Sequence, residues 1–316
     1  MTDPSAVPAA RTAAVAQAPS QAPSNKPAAS PRSGRKPWWL RTLRRSPLHL
    51  TILVLCAIWL TPALGLLITS FRTPGDTAKS GWWDALTAPA FTVHNYTDAL
   101  DGTDITDGLL NSLLIAVPTT VVTVLVSAFA GYAFAWMRFR GRGPLFLVVI
   151  GLLVVPPQVT LVPMMKLLDS LGLMGTVPAV WIYQVGFTLP FGIFLLRNFF
   201  AAMPKELLDA AQVDGAGQMR IFLKIVLPTS GPALASLAIL QFIWSWNDLL
   251  TPLLFMGGQN DGAPVTVQIA GLVQSTGEGQ NLLTAATFLA VLLPLIVFFS
   301  LQRYYARGMM SGSVKG

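Results

Sequence analysis

MPKELLDAAQVDGAGQMRIFLKIVLP, residues 203–228, is a polar stretch of mixed charge set between long apolar runs at 177–196 and 231–255. Pro204 suits the first position of a helix, where its missing N–H costs nothing, and Glu206 suits the positive end of the helix dipole. Leu207, Leu208, Ala211 and Val213 give this first helix an apolar side. Gly215 can take the left-handed backbone that ends it. A second short helix is predicted over 218–226, with Leu227-Pro228 stopping it. The stretch reads as a helix–turn–helix lying at a membrane face.

The chain around it is built for lipid. Of its 316 residues 53% are hydrophobic and only 11% charged, with a mean hydropathy of +0.58. Soluble domains carry about 25% charged residues. The net charge of +7 does not point to nucleic acid, because the basic residues are divided among short segments flanking apolar runs. Six runs approach the roughly 20 residues needed to cross a bilayer: 49–70, 111–135, 144–165, 177–196, 231–255 and 282–302. An even number puts both termini on one side. If that side is the cytoplasm, 18 of the 21 Lys and Arg lie inside, and 203–228 is a cytoplasmic loop. Residues 1–46, basic and rich in Ala, Pro and Ser, are expected to form a disordered cytoplasmic tail rather than a cleaved signal, and 47–316 the transmembrane domain. The lone Cys56, inside an apolar run, reads as a small buried hydrophobe.

Polar residues inside the runs are the candidates for a solute path. Pro156-Pro157 removes two backbone donors in the third run, followed by Gln158, so the break either improves packing or lines a water-filled path. Tyr183 and Gln184 in the fourth run invite the same comparison. The fifth ends in Gln241, Trp244, Trp246, Asn247 and Asp248, with Asp248 about 24 Å along from Pro232. An ionisable group at that depth faces a cavity, a partner or the interface. Trp faces and amides are also what sugar C–H patches and hydroxyls require, although at least one of the two Trp is expected to be a boundary anchor. The outer loop 72–108 carries Asp76, Asp84, Asp98, Asp101, Asp104 and Asp107 with Trp82, Trp83 and Tyr96; headgroup anchoring and docking of an external protein both fit. Asn95-Tyr96-Thr97 matches a glycosylation sequon by a pattern short enough to recur by chance. The sequence holds no phosphate-binding Gly-x-x-x-x-Gly-Lys-Ser/Thr loop, and two His with one Cys make no metal cluster of those types.

Asp209-Ala210-Ala211, Gly215, Ile225 and Leu227-Pro228 resemble, in register, the signature loop of ABC-importer permeases: Glu-Ala-Ala, three residues, Gly, nine residues, Ile, one residue, Leu-Pro. Asp209 replaces the usual Glu, one methylene shorter. Ser245-Trp246-Asn247-Asp248, Asn111-Ser112 and the closing run 302–316 look like those of maltose-type sugar permeases, so the resemblance covers about residue 48 to the end. It implies an all-α, six-span ABC-importer permease fold in the inner membrane of a prokaryote, with both termini cytoplasmic. The function implied is passage of a sugar delivered by an extracytoplasmic solute-binding protein, beside a second permease subunit in a heterodimer. The chain itself would be no enzyme and bind no cofactor, ATP and Mg being held by partner ATPase subunits. The coupling loop would comprise Glu206, Asp209, Ala210, Ala211, Asp214, Gly215, Leu227 and Pro228. Ala210 and Ala211 would let a partner backbone approach, and Asp209 would meet a basic group. A permease for a non-sugar solute, a secondary transporter, and a loop merely resting on lipid are the alternatives.

Overall fold

Regular structure among the described residues is helical, apart from one isolated antiparallel bridge between Arg72 and Phe91. The computed structural model describes residues 38–258, 262–275 and 279–313. In order these are α1 (Trp38–Ser70), α2 (Pro74–Lys79), a 3₁₀ turn (Trp82–Leu86), α3 (His94–Asp101), α4 (Ile105–Trp136), α5 (Arg142–Leu152), α6 (Pro157–Ser170), α7 (Val177–Ala201), α8 (Lys205–Val213), α9 (Gln218–Ile221), a π turn (Phe222–Val226), α10 (Leu227–Thr229), α11 (Gly231–Asn247), α12 (Leu250–Phe255), α13 (Val265–Ser275) and α14 (Gln280–Ser313).

Four helical stretches are long and apolar enough to cross a membrane: Leu48–Ser70, Ile105–Trp136, Val177–Ala201 and Gln280–Ser300. Two bent pairs pass the same test only when each is taken as one span, α5 with α6 at 103° and Gln218–Thr229 with Gly231–Asn247 at 74°. The third run, expected over 144–165 with a break at Pro156-Pro157, is two helices that part at those prolines. Pro156 is extended (ψ 137°) because Pro157 follows it, and Pro157 opens α6, where no N–H is needed. The fifth run is also interrupted: α11 ends at Asn247, Asp248 is extended (φ −70°, ψ 115°), and α12 starts at Leu250.

Most of the tail expected over 1–46 lies outside the described residues. From Trp38 the backbone is helical, so 38–46 extend α1, as the good helix formers Leu40, Arg41, Leu43, Arg44 and Arg45 favour. Residues 1–56 and 57–316 are separate units. In the first, side chains 48–56 are all exposed, Cys56 included, against the expectation of a buried thiol.

Within 57–316, α4 and α7 cross closely at small residues. A Cβ on Gly131 would lie 3.0 Å from the Arg197 backbone nitrogen and 3.2 Å from Leu196 Cβ. A second core joins Ala99 of α3 and Ala116 of α4 to Trp246, Val265 and Ala286. The α2–α3 segment is tied down by buried polar groups. Asn95 Nδ2 donates to the carbonyls of Ser70 and Arg72, both at 2.8 Å, and its Oδ1 accepts from Asn281 Nδ2 at 2.8 Å. Tyr96 OH pairs with Ser70 Oγ at 2.6 Å. The acceptor Asn95 of the sequon is thus buried and its amide engaged, while Tyr96 packs into the protein and Trp83 stays exposed.

Gly131→Val is expected to force α4 from α7 and lower stability by about 1–3 kcal/mol. Thermal unfolding of the detergent-purified chain checks this, with Gly143→Val, where a Cβ meets nothing within 4 Å, as the control.

Candidate functional site

The loop folds as two helices with a defined end to the first. Pro204 precedes α8 rather than opening it, with extended backbone (ψ 126°). Gly215 sits at φ +79°. Its N–H donates to Gln212 O and that of Ala216 to Ala211 O, both at 3.0 Å, the paired bonds of a glycine-terminated helix. The expected apolar side divides: Leu208 and Ala211 are buried, whereas Leu207 and Val213 are 43% and 88% exposed. The two alanines also separate, Ala211 facing the chain's own core and Ala210 facing out, so only Ala210 is free for the close approach expected of both. Glu206, Asp209 and Asp214 are exposed beside it. Asp209 lies 3.5 Å from Lys205 Nζ in an exposed i,i+4 pair, which holds it by only about 0.3–0.5 kcal/mol.

Pro228 does not stop the second helix as expected. The helix widens first: the Leu227 N–H reaches back five residues to Phe222 O, and the chain continues through Pro228 to Thr229. A π turn makes room for a proline ring that would crowd the preceding turn of an α-helix. Both helices are fastened to protein. Leu208, Ala211, Ile221, Phe222 and Val226 join Ala128, Tyr132, Leu196, Phe200, Ala233 and Leu237 in one core. The Phe222 ring lies 4.8 Å from Phe129 and 5.0 Å from Tyr132. Tyr132 OH donates to Gln218 Oε1 at 2.7 Å, and Trp136 Nε1 to Phe200 O at 2.9 Å. These contacts set the inner side of the loop on α4, α7 and α11.

At the other end of α7 and α11 a cavity of about 460 Å³ opens between α6, α7, α11 and α12. Pro157, Gln158, Tyr183, Gln184, Gln241, Trp244, Asn247 and Asp248 all line it; Pro156 does not. Asp248 organises the polar groups. Its Oδ1 accepts the Thr251 N–H at 3.1 Å, capping α12, and its Oδ2 accepts Gln184 Nε2 at 2.9 Å. Gln184 Oε1 in turn accepts Ser245 Oγ at 2.6 Å. Tyr183 OH donates to Pro157 O at 2.8 Å, partnering a carbonyl at the start of α6. Trp244 is 48% exposed, its ring 5.4 Å from Phe191. Trp246 is buried, donating to Ala290 O at 3.0 Å and stacked on Phe242, so it is a core residue rather than a boundary anchor.

Thr188 and Thr251, which the sequence did not single out, line the same cavity, as does Ser245, marked there only as part of the 245–248 run. Their spacings were available: Thr188 follows Gln184 by four, and Ser245 and Thr251 flank Asp248 by three, on the same helical face or at capping distance. Phe222 and Tyr132 as the loop's fastening had no such signal.

Apolar helices broken around a largely apolar cavity with polar side chains set in its wall, and a protein-fastened loop at the far end, have the build of a membrane transport component. A family model described as "Binding-protein-dependent transport system inner membrane component" matches residues 109–311, and the chain belongs to that family. It is an inner-membrane permease. It is 48% identical to the osmoprotective compounds uptake permease protein GgtD of Synechocystis sp., over 86% of this chain and 93% of that one. It is 46% identical to the alpha-glucoside transport system permease protein AglG of Rhizobium meliloti, over 79% of this chain and 67% of that one. A solved bacterial ABC transporter involved in import of the acidic polysaccharide alginate shares the fold, with a TM-score of 0.68 at 19% identity, covering 85% of this chain and 100% of that one.

Asp248→Ala removes the cap of α12 and the partner of Gln184 together. It is expected to lower stability by about 0.5–2 kcal/mol, and Asp248→Asn by less than half as much, in thermal unfolding of the purified chain.

Proposed function

We propose that this chain is the sugar-translocating permease subunit of an ATP-driven importer, and that α8 with α9 is the element a partner ATPase grips. The observation that carries this is the division of α8: one side is built into the core of α4, α7 and α11, and the other, with Ala210 flanked by Leu207, Val213 and three carboxylates, is left open. ATP and Mg would reside in that ATPase, since this sequence has no phosphate-binding loop of its own. The relative named for alpha-glucosides supports a sugar as cargo, delivered by an extracytoplasmic binding protein. The relative named for osmoprotective compounds supports a second reading, a non-sugar solute handled by the same machinery. A second permease subunit would complete the path, with the loop cytoplasmic as the distribution of basic residues requires.

A nucleotide can bias inward- against outward-facing states only through contacts that differ between them. The geometry supplies a direct lever. From Phe200, in the loop's core, to Gln184, in the cavity, α7 runs sixteen residues, about 24 Å at 1.5 Å per residue. From Gly231 to Asp248, α11 covers about the same length. A push on α8 therefore reaches the cavity through two helices rather than through a relay of side chains.

Gly215→Pro cannot adopt the positive φ that ends α8, and Ala210→Trp fills the open face. Both are expected to insert normally yet lower ATP-driven uptake into vesicles by about tenfold or more, a coupling loss of at least 1.4 kcal/mol. Uptake within twofold of the native chain would remove the loop's assigned role.

A further inference from the structure

We propose that the cavity between α6, α7, α11 and α12 is a solute subsite of this chain's own, taking neutral polyhydroxyl solutes, and that Asp248 turns anionic ones away. The inference rests on the permease reading and adds the chemistry of the site. Gln184, Gln241, Ser245, Thr188 and Thr251 are between 2% and 8% exposed. Five buried polar side chains converging on one cavity in apolar helices are costly unless they serve each other or a ligand. The volume of about 460 Å³ lies within the roughly 300–1,000 Å³ of small-molecule sites.

The hydrogen-bonding capacity is only partly used within the chain. An ionised carboxylate offers about four acceptor positions, and Asp248 receives the Thr251 N–H and Gln184 Nε2. Gln184 Nε2 carries a second hydrogen, and the exposed Asn247, whose Nδ2 goes to Ile243 O, is a lining residue with its oxygen as a further acceptor. Donors and acceptors are thus interspersed, as a solute with several hydroxyls requires, and the half-exposed Trp244 ring offers a face for C–H patches. The charge is one-sided. Asp248 is the only ionisable carboxylate among the lining residues, and no Lys, Arg or His stands with it. A solute carboxylate would meet a like charge in a low-dielectric site with no cation to offset it. A neutral ring escapes that penalty, and a single ammonium would leave most of the amide and hydroxyl groups unused.

The test uses the full chain in lipid nanodiscs without nucleotide, at pH 7, with binding read by saturation-transfer NMR. The probes are methyl α-D-glucopyranoside, methyl α-D-glucuronide, which differs by its carboxylate, and glucosamine. The glucoside is expected to bind about tenfold or more tighter than the glucuronide, equivalent to about 1.4 kcal/mol. Asp248→Asn keeps an oxygen for the Thr251 N–H and is expected to bring the two within about threefold. Trp244→Ala, at an exposed position, is expected to weaken the glucoside by about tenfold. No glucoside binding, equal binding of glucoside and glucuronide, discrimination unchanged in Asp248→Asn, glucoside binding indifferent to Trp244→Ala, or glucosamine bound tenfold tighter than the glucoside would each overturn the proposal. The loop variant Gly215→Pro separates the two readings. Retained binding with normal uptake rejects the coupling role and leaves the subsite standing; lost uptake in a chain that never discriminates rejects the subsite alone.

Discussion

In hydrocarbon an amide or carbonyl has no water to turn to, so a spanning helix can be interrupted only where the chain itself supplies the missing partner. This constraint organises the molecule. At the α5–α6 reversal, Tyr183 OH and Thr160 Oγ1 both donate to the Pro157 carbonyl, at 2.8 and 2.7 Å. At the return from the loop, Ser230 is fully buried and donates through both its N–H and its hydroxyl to Val226 O. At the end of α11, the Asp248 carboxylate takes the amide of Thr251. Each irregularity has a side chain bonded to its backbone, donating at the first two and accepting at the third, and two of the three border the cavity.

The consequence is a division of labour along α7 and α11. Their leading and trailing halves sit in different cores: Leu196, Phe200, Ala233 and Leu237 belong with the loop, while Tyr183 packs with α6 and α12 and Trp246 with α14. The loop end is also where α4 and α7 approach each other closely, at Gly131. Polar groups that could exchange partners are concentrated at the cavity end. Close packing at one end and side-chain hydrogen bonds at the other are the arrangement that the proposed coupling and solute-binding roles would use.

How much of this was legible in the sequence depended on whether the signal was local. The turn at Gly215, the interruption at Pro156-Pro157 and the unusual depth of Asp248 follow from the stereochemistry or charge of single residues. Whether Ala210 or Ala211 faces outward does not, because it turns on the rotation of α8 against α4, α7 and α11, set by Phe222 and Tyr132 from elsewhere in the chain. The prolines announced a break but not the 103° between α5 and α6, which the packing of Leu161 and Leu168 against α7 and α12 fixes. Pro228 misled in a different way: its usual effect is to end a helix, and a widened turn upstream removed the clash. The bond from Gln184 to Asp248, between residues 64 apart, is the kind of pairing that no local pattern encodes.

The Asn95–Asn281 amide pair joins residues 186 apart in sequence. During synthesis, Asn95 emerges long before its counterpart, so the α2–α3 segment waits with one amide oxygen unmatched until the start of α14 is delivered. The order of translation thus leaves the assembly of this side of the protein to the last helix. A chain ending ahead of Asn281 would leave that polar junction half filled.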